Sequence, residues 1–326
     1  MIFHVLFMVA GVAFTLITSY SLNSLITGGV TLTANDTLTE YISGSGKTFQ
    51  WLSYTDAYQL AVAKLILPSL LVVASLAIVL SRFFAAYHMQ MLAYSARVSA
   101  VSIRAMNFIL GFMPVAACAL TFAMAAESGY ALAGLIGRYV FALIIMLLAL
   151  TLFLYAVAAV LGSVPVKKFA RMLFPAQVVA ASTRSSLATM PVLLERASYA
   201  GLPPAVSGLV IPLAVSVFRL NRSVSSVFSY VFLTAVYAIP TDVSSTLSFL
   251  VLIMVLSFGS PGIPSGGKFA TMPVFLALGV PLEMIVLTKA IDAIPDIFKT
   301  VLNVTEAMTI TSLVTRSTAP NPVPNG

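Results

Sequence analysis

An all-α membrane protein is the fold class this sequence predicts, on three observations. Hydrophobic residues make up 60% of the 326, charged residues only 8%, and the mean hydropathy is +1.04; a soluble domain carries about 25% charged residues. Several apolar runs (2–20, 60–80, 108–126 and 139–161) reach the roughly 20 residues that cross a bilayer as a helix. The alternating segments of about ten residues that mark an outer-membrane barrel do not occur in these runs.

The first half reads as four simple spans, at about 1–27, 59–82, 105–127 and 130–162. Met1–Tyr20 has neither a basic leader nor a small-residue cleavage site, so it reads as a span, with a signal peptide as the alternative. Between the first two spans, Asp36, Glu40 and Asp56 face a single Lys47. Arg82, Arg97 and Arg104 cluster after the second span, and Lys167, Lys168 and Arg171 after the fourth. Positive loops stay inside, so the first helix runs from inside to outside and the C-terminus is expected in the cytoplasm. This placement also accounts for the net charge of +7 without a nucleic-acid partner.

The second half is broken at membrane depth. Ser182–Pro191 and Ser257–Gly267 interrupt apolar runs with Ser, Pro and Gly, and Arg219-Leu220-Asn221-Arg222 interrupts a span at about 206–236. Unwound backbone cannot face lipid, because its N–H and C=O groups would lack partners. It lines a cavity or is buried in protein. Two interrupted segments in corresponding places fit an inverted repeat in a secondary transporter, the alternatives being structural re-entrant loops or surface loops. Broken helices turn their partly positive N-termini toward the cavity, which suits an anionic solute.

A last helix at about 278–316 carries charge where charge is costly. Asp296, Lys299, Thr300 and Asn303 fall at i, i+3, i+4 and i+7 and share one face, with Asp292 just ahead. A charged side chain at bilayer depth costs about 2.5–3.5 kcal/mol on insertion scales, so such a stripe lines a polar chamber and handles a polar solute. The competing structural reading is an Asp296–Lys299 ion pair.

Other features carry no chemistry. Cys118 is the one cysteine, so no disulfide forms within the chain. His4 and His88 have no acidic or cysteine companions, and neither a metal nor another cofactor is expected. Gly46-Lys47-Thr48 lacks the phosphate-loop glycine at Tyr41. Ser185 has no histidine near it in sequence, so an enzyme is not expected.

Four pieces in order now resemble the dicarboxylate/amino acid:cation symporter family, the glutamate transporter homologues. Arg184-Ser185-Ser186-Leu187-Ala188-Thr189-Met190-Pro191 resembles the serine-rich tip of the family's first re-entrant hairpin, and Gly259–Gly267 the tip of the second. Asp292–Thr305 resembles its last helix, and Met113-Pro114 with the following span its fifth. The resemblance implies two re-entrant hairpins, a broken helix and an elevator mechanism, in which a transport domain moves against a trimeric scaffold. It implies a transport-domain helix at 1–27, scaffold-type helices at 28–128 and a transport-domain helix at 129–162. The transport core would be 163–316: hairpin 1 at about 170–200, the broken helix at about 206–236, hairpin 2 at about 240–275 and the last helix at about 278–316. The tail 317–326 is expected to be disordered. The family's first two helices have no counterpart here, and whether as a natural short form or a truncation is left open.

The resemblance also implies roles. Arg184, Ser185, Ser186, Ile263, Gly267, Asp296, Lys299, Thr300 and Asn303 would bind a small anionic amino acid or dicarboxylate. Asp296 would take an amino group, and Lys299 stands where relatives place an arginine. The departures point elsewhere. The family's Asn-Met-Asp-Gly-Thr is replaced by Phe218-Arg219-Leu220-Asn221-Arg222, and Ala307 follows Glu306 where a further Asp is usual. Leu6, Val9 and Ala10 offer no side-chain oxygen. Hard cations want oxygen ligands, so sodium coupling is expected to be lost or much reduced. Arg219 or Arg222 would supply permanent charge instead, with Asp292, Asp296 or Glu306 as candidate proton carriers, or would simply pair with Asp292 or Asp296. The chain would be a homotrimeric carrier in a bacterial inner membrane, with the bilayer as its other partner. A sensor-like or non-transporting relative, or a remnant, is the alternative.

Overall fold

In the computed structural model the chain is described over residues 2–22, 113–216, 219–237, 239–258 and 291–318, with isolated positions between them. It divides into two compact units, 1–31 with 123–326, and 32–122. All described elements of the first unit are helical. They are α1 (Ile2–Ser21), α2 (Met113–Leu161, whose first turns belong to the second unit), α3 (Val166–Thr183), α4 (Ser186–Tyr199), α5 (Pro204–Ser216), α6 (Leu220–Val236) and α7 (Val243–Phe258), then a 3-10 turn (Ile291–Ala293) and α8 (Pro295–Thr318).

Helix α2 runs unbroken through Glu127-Ser128-Gly129, where the sequence predicts a boundary between spans and between domains. Past Pro114 it contains no proline. Its glycines each cost only about 1 kcal/mol, too little by themselves to end a long helix. Its Gly134–Leu161 portion is long and apolar enough to cross a bilayer. The remaining predicted scaffold spans, the tip and second arm of hairpin 2, and residues 319–326 of the tail lie outside the described residues.

The core is apolar, but it also buries many polar residues, while large apolar side chains remain on the surface. Residues 302–313 of α8 and 223–234 of α6 are buried without interruption, and they include Thr305, Glu306, Thr309, Thr311, Ser225, Ser226 and Ser229. Phe141, Leu152, Val160, Phe174, Leu209 and Val251 stand exposed. The buried hydroxyls are absorbed locally: Thr305, Thr309 and Thr311 each donate to the carbonyl four residues back, at 2.7–2.8 Å, which hides a donor without a second helix.

Around α8 the core is a contact of small and apolar residues. On α3, Phe169, Met172, Leu173, Ala176 and Ala180 repeat at helical spacing; they meet Leu193 and Ala197 of α4, Ile211 and Ala214 of α5, and Ala307 and Met308 of α8. Alanines let backbones approach closely where lipid supplies no hydrophobic drive. On the other side α1 packs along α6, where a Cβ at Gly11 would stand 2.8 Å from Leu220 Cδ1. Tyr139 of α2 joins α6 through Ser229 Oγ at 2.9 Å, and Tyr230 stacks on Phe249 of α7.

Two end contacts anchor this arrangement. Arg316 Nη1 donates to Val160 O (2.9 Å), satisfying a carbonyl at the C-terminus of α2. Ser163 N donates to Ser312 Oγ at 2.9 Å, and a Cβ on the neighbouring Gly162 would lie 2.8 Å from that same Oγ and against Ala158 O. Gly162→Ala is therefore expected to cost about 1–2 kcal/mol by overpacking, read as a lower melting temperature in detergent, while Gly208→Ala, in open space, leaves melting nearly unchanged.

Before α7, Asp242 and Ser245 cap the helix reciprocally: Ser245 N donates to Asp242 Oδ1 at 3.0 Å and Asp242 N to Ser245 Oγ at 3.2 Å. Hydrogen bonding by the Ser245 side chain, and next by its backbone N–H, holds the Asp242 carboxyl below the usual aspartate value. A depressed carboxyl stabilises the fold above its unfolded-state value and loses that contribution as pH falls through its folded value. Asp242→Asn should therefore flatten any acid-side loss of stability that this cap causes.

Candidate functional site

Three breaks interrupt the helices, and two of them meet at one side chain of α8. The first lies between α3 and α4. Arg184 ends α3 in the left-handed region (φ 52°, ψ 29°), the sole non-glycine there among the described residues. Ser185 is extended (φ −133°) and caps α4, its Oγ accepting from Ala188 N at 3.3 Å. α3 and α4 thus form a helical hairpin with Ser185-Ser186 at its tip. The second break separates α5 from α6, with Arg219 extended at the N-cap of α6. The third is the turn Ile291–Ala293 before Pro295, the first residue of α8, where proline's fixed φ suits the helix start.

Asn303 of α8 joins the first two of these breaks. Its Oδ1 accepts from Asn221 N at 3.3 Å and its Nδ2 reaches Ser186 Oγ at 3.5 Å. One turn further on, buried Glu306 accepts from Leu220 N at 3.0 Å. Two backbone N–H groups in the first turn of α6, which have no partner within that helix, are therefore satisfied by α8. The sequence placed Asn303 and Glu306 on α8 but not this capping, which links residues more than eighty positions apart. The preference of a helix N-terminus for an acidic or amide partner was the available signal.

The cations divide into three situations. Lys299 is buried and bonded to the equally buried Asp292, with Asp296 Oδ1 at 4.0 Å. The expected i, i+3 neighbour Asp296 is thus the more distant partner, because the 3-10 turn brings Asp292 against the lysine. Arg219 is buried, and its Nε and Nη2 both donate to Val215 O, at 3.1 and 2.9 Å. It caps the carbonyl end of α5 across the break. Arg222, half-buried in the first turn of α6, has a buried Nη1 with no hydrogen-bond partner among the described residues.

The remaining predicted site residues are dispersed. Thr300 is buried and its hydroxyl donates to Asp296 O at 2.8 Å, leaving its oxygen as an acceptor. Arg184 is exposed, and its side chain makes no hydrogen bond or ion pair among the described residues. Ile263 and Gly267 lie outside the described residues. No group of three or more metal-binding side chains occurs among the described residues. One contact that sequence reasoning missed supports the junction from behind: Gln177 of α3 donates to Thr305 Oγ1 at 2.9 Å and accepts from Tyr155 OH at 3.1 Å.

The sequence matches the model of the sodium:dicarboxylate symporter family over residues 1–317. Among curated relatives, a proton/sodium-glutamate symport protein of Geobacillus stearothermophilus is 30% identical over 39% of this chain and 30% of its own length. A proton/glutamate-aspartate symporter of Escherichia coli is 24% identical over 64% of this chain and 47% of its own. An L-cystine uptake protein of Bacillus licheniformis is 24% identical over 67% and 48%. The chain spans at most about half the length of these relatives. With a family model matched along nearly its whole length, and helices alone among the described elements, the chain belongs to the sodium:dicarboxylate symporter family of membrane transporters.

Proposed function

We propose that the chain is the solute-carrying part of a secondary transporter for a small anionic amino acid or dicarboxylate, working without the usual sodium coupling. One observation carries the reading: the N-termini of α4 and α6 both meet the polar face of α8 at Asn303. Two partly positive helix ends beside the amide of Asn303 and the hydroxyls of Ser186 and Thr300 favour a carboxylate. The relatives' names, which specify glutamate, aspartate and cystine, support the substrate class. The division of the chain into units 1–31 with 123–326 and 32–122 supports a moving transport domain and a separate scaffold. The elevator motion, the re-entrant placement of the α3–α4 hairpin, a trimer, the inner-membrane location and a cytoplasmic C-terminus belong to the same reading.

The chemistry at the α5–α6 break argues against sodium. The side-chain oxygens of Asn303 and Glu306 accept from backbone N–H groups, and two arginines stand in the same turn. A cation there would compete with those donors and face two guanidinium charges. Coupling to protons, exchange, or uncoupled passage remain as modes, with Asp296, half-buried and the more distant of the two carboxylates at Lys299, the best-placed carboxyl for a proton. Uptake of labelled aspartate into proteoliposomes is expected to be unchanged within about twofold when a sodium gradient is replaced by a potassium one. Tenfold stimulation by sodium overturns the coupling claim. No uptake of any acidic amino acid or dicarboxylate overturns the carrier.

A further inference from the structure

We propose that Arg222, and not Lys299, holds the anionic end of the cargo; the assignment rests on the carrier reading and deepens it. Lys299 is already engaged: it is buried, bonded to Asp292, and has Asp296 at 4.0 Å. A cargo carboxylate at Lys299 would have to share one ammonium with Asp292 and Asp296, whose own negative charge opposes it in a low-dielectric site. Arg219 is engaged too, with Nε and Nη2 on Val215 O. Arg222 differs from both, since its Nη1 is buried and unpartnered among the described residues. A buried donor left unmade costs free energy that a ligand can recover.

Placement agrees with this. Arg222 follows Asn221, whose N–H binds Asn303, and so it sits one residue from the junction of α4, α6 and α8. It is the third residue of α6, and Arg219 is the N-cap. Two like charges one turn apart at the positive end of a helix repel each other and the helix end. Glu306 supplies one carboxylate at this helix end, on Leu220 N, and the second guanidinium in the same turn favours a further anion. A guanidinium offers a planar fork that matches a carboxylate, which a lysine does not. The cargo is therefore a solute whose second charged group is a carboxylate.

The test uses the purified full chain in detergent, with melting followed in L-aspartate, succinate and L-asparagine. The wild type is expected to be stabilised by aspartate and succinate more than by asparagine. Arg222→Gln should weaken succinate and aspartate roughly tenfold to hundredfold, the range for a hydrogen bond to a charged group, while Arg222→Lys keeps part of the affinity. Without ligand, Arg222→Gln should melt no lower than wild type, because a repulsive pair is removed. Wild-type succinate affinity in Arg222→Gln overturns the assignment and leaves the carrier reading standing. A ligand-free Arg222→Gln that melts well below wild type also overturns it, because the guanidinium then serves the fold. A wild type that none of the three ligands stabilises overturns the assignment together with its anionic cargo.

Discussion

Lys299→Met is expected to lower stability by about 3–5 kcal/mol, the cost of stripping one partner from a buried ion pair. Asp292 is 2% exposed and Lys299 7% exposed, so water cannot take over the missing charge. The cost should come from leaving a buried carboxylate without its ammonium more than from any intrinsic worth of the pair. Asp292→Asn combined with Lys299→Met removes both charges and should recover most of the loss, as replacing a whole buried pair is often close to neutral. Thermal unfolding in detergent micelles of the two single variants and the double variant gives the comparison. A double variant as unstable as Lys299→Met alone would contradict this account. Asp296→Asn separates the neighbouring carboxyl: at 4.0 Å from Lys299 and half-buried, it should alter stability little while reducing uptake.

Glu306→Leu ranks second in expected effect. The carboxylate is fully buried and accepts from Leu220 N at 3.0 Å, so its removal orphans a donor at the start of α6, worth about 1.5–3 kcal/mol for a hydrogen bond to a charged group. It also withdraws negative charge from a turn that carries Arg219 and Arg222. Glu306→Gln keeps an oxygen for Leu220 N and should lose less. Were Glu306 only a proton carrier, Gln and Leu would fail alike in uptake and neither would loosen α6. Hydrogen exchange of the Leu220 and Asn221 amides distinguishes the two: faster exchange in Leu than in Gln supports the cap, and equal protection in both sinks it.

Much of the architecture was legible in the residues. Apolar runs of bilayer length required helices, because no other open structure satisfies its backbone in lipid. The serines at 182–186 and the arginines at 219–222, polar residues inside apolar runs, marked two of the breaks, although Pro191 lies within α4. The common face of Asp296, Lys299, Thr300 and Asn303 came from a period of 3.6 residues, and all four lie in α8. Local signals misled at Glu127-Ser128-Gly129, where a polar, glycine-containing triplet reads as a connection but α2 continues through it.

What the sequence determined by itself was the class of molecule, the positions of two of its helix breaks and the charged face of its last helix, since these depend on periodicity and backbone propensity within one segment. Which charges pair was decided only in three dimensions. Asp292 rather than Asp296 is bonded to Lys299 because a 3-10 turn lies before Pro295. Arg219 closes the end of α5, Glu306 and Asn303 close the start of α6, and Arg222 keeps a buried donor unmade among the described residues. Each of these outcomes depends on the distance between groups on different helices, and a helical repeat carries no information about that distance.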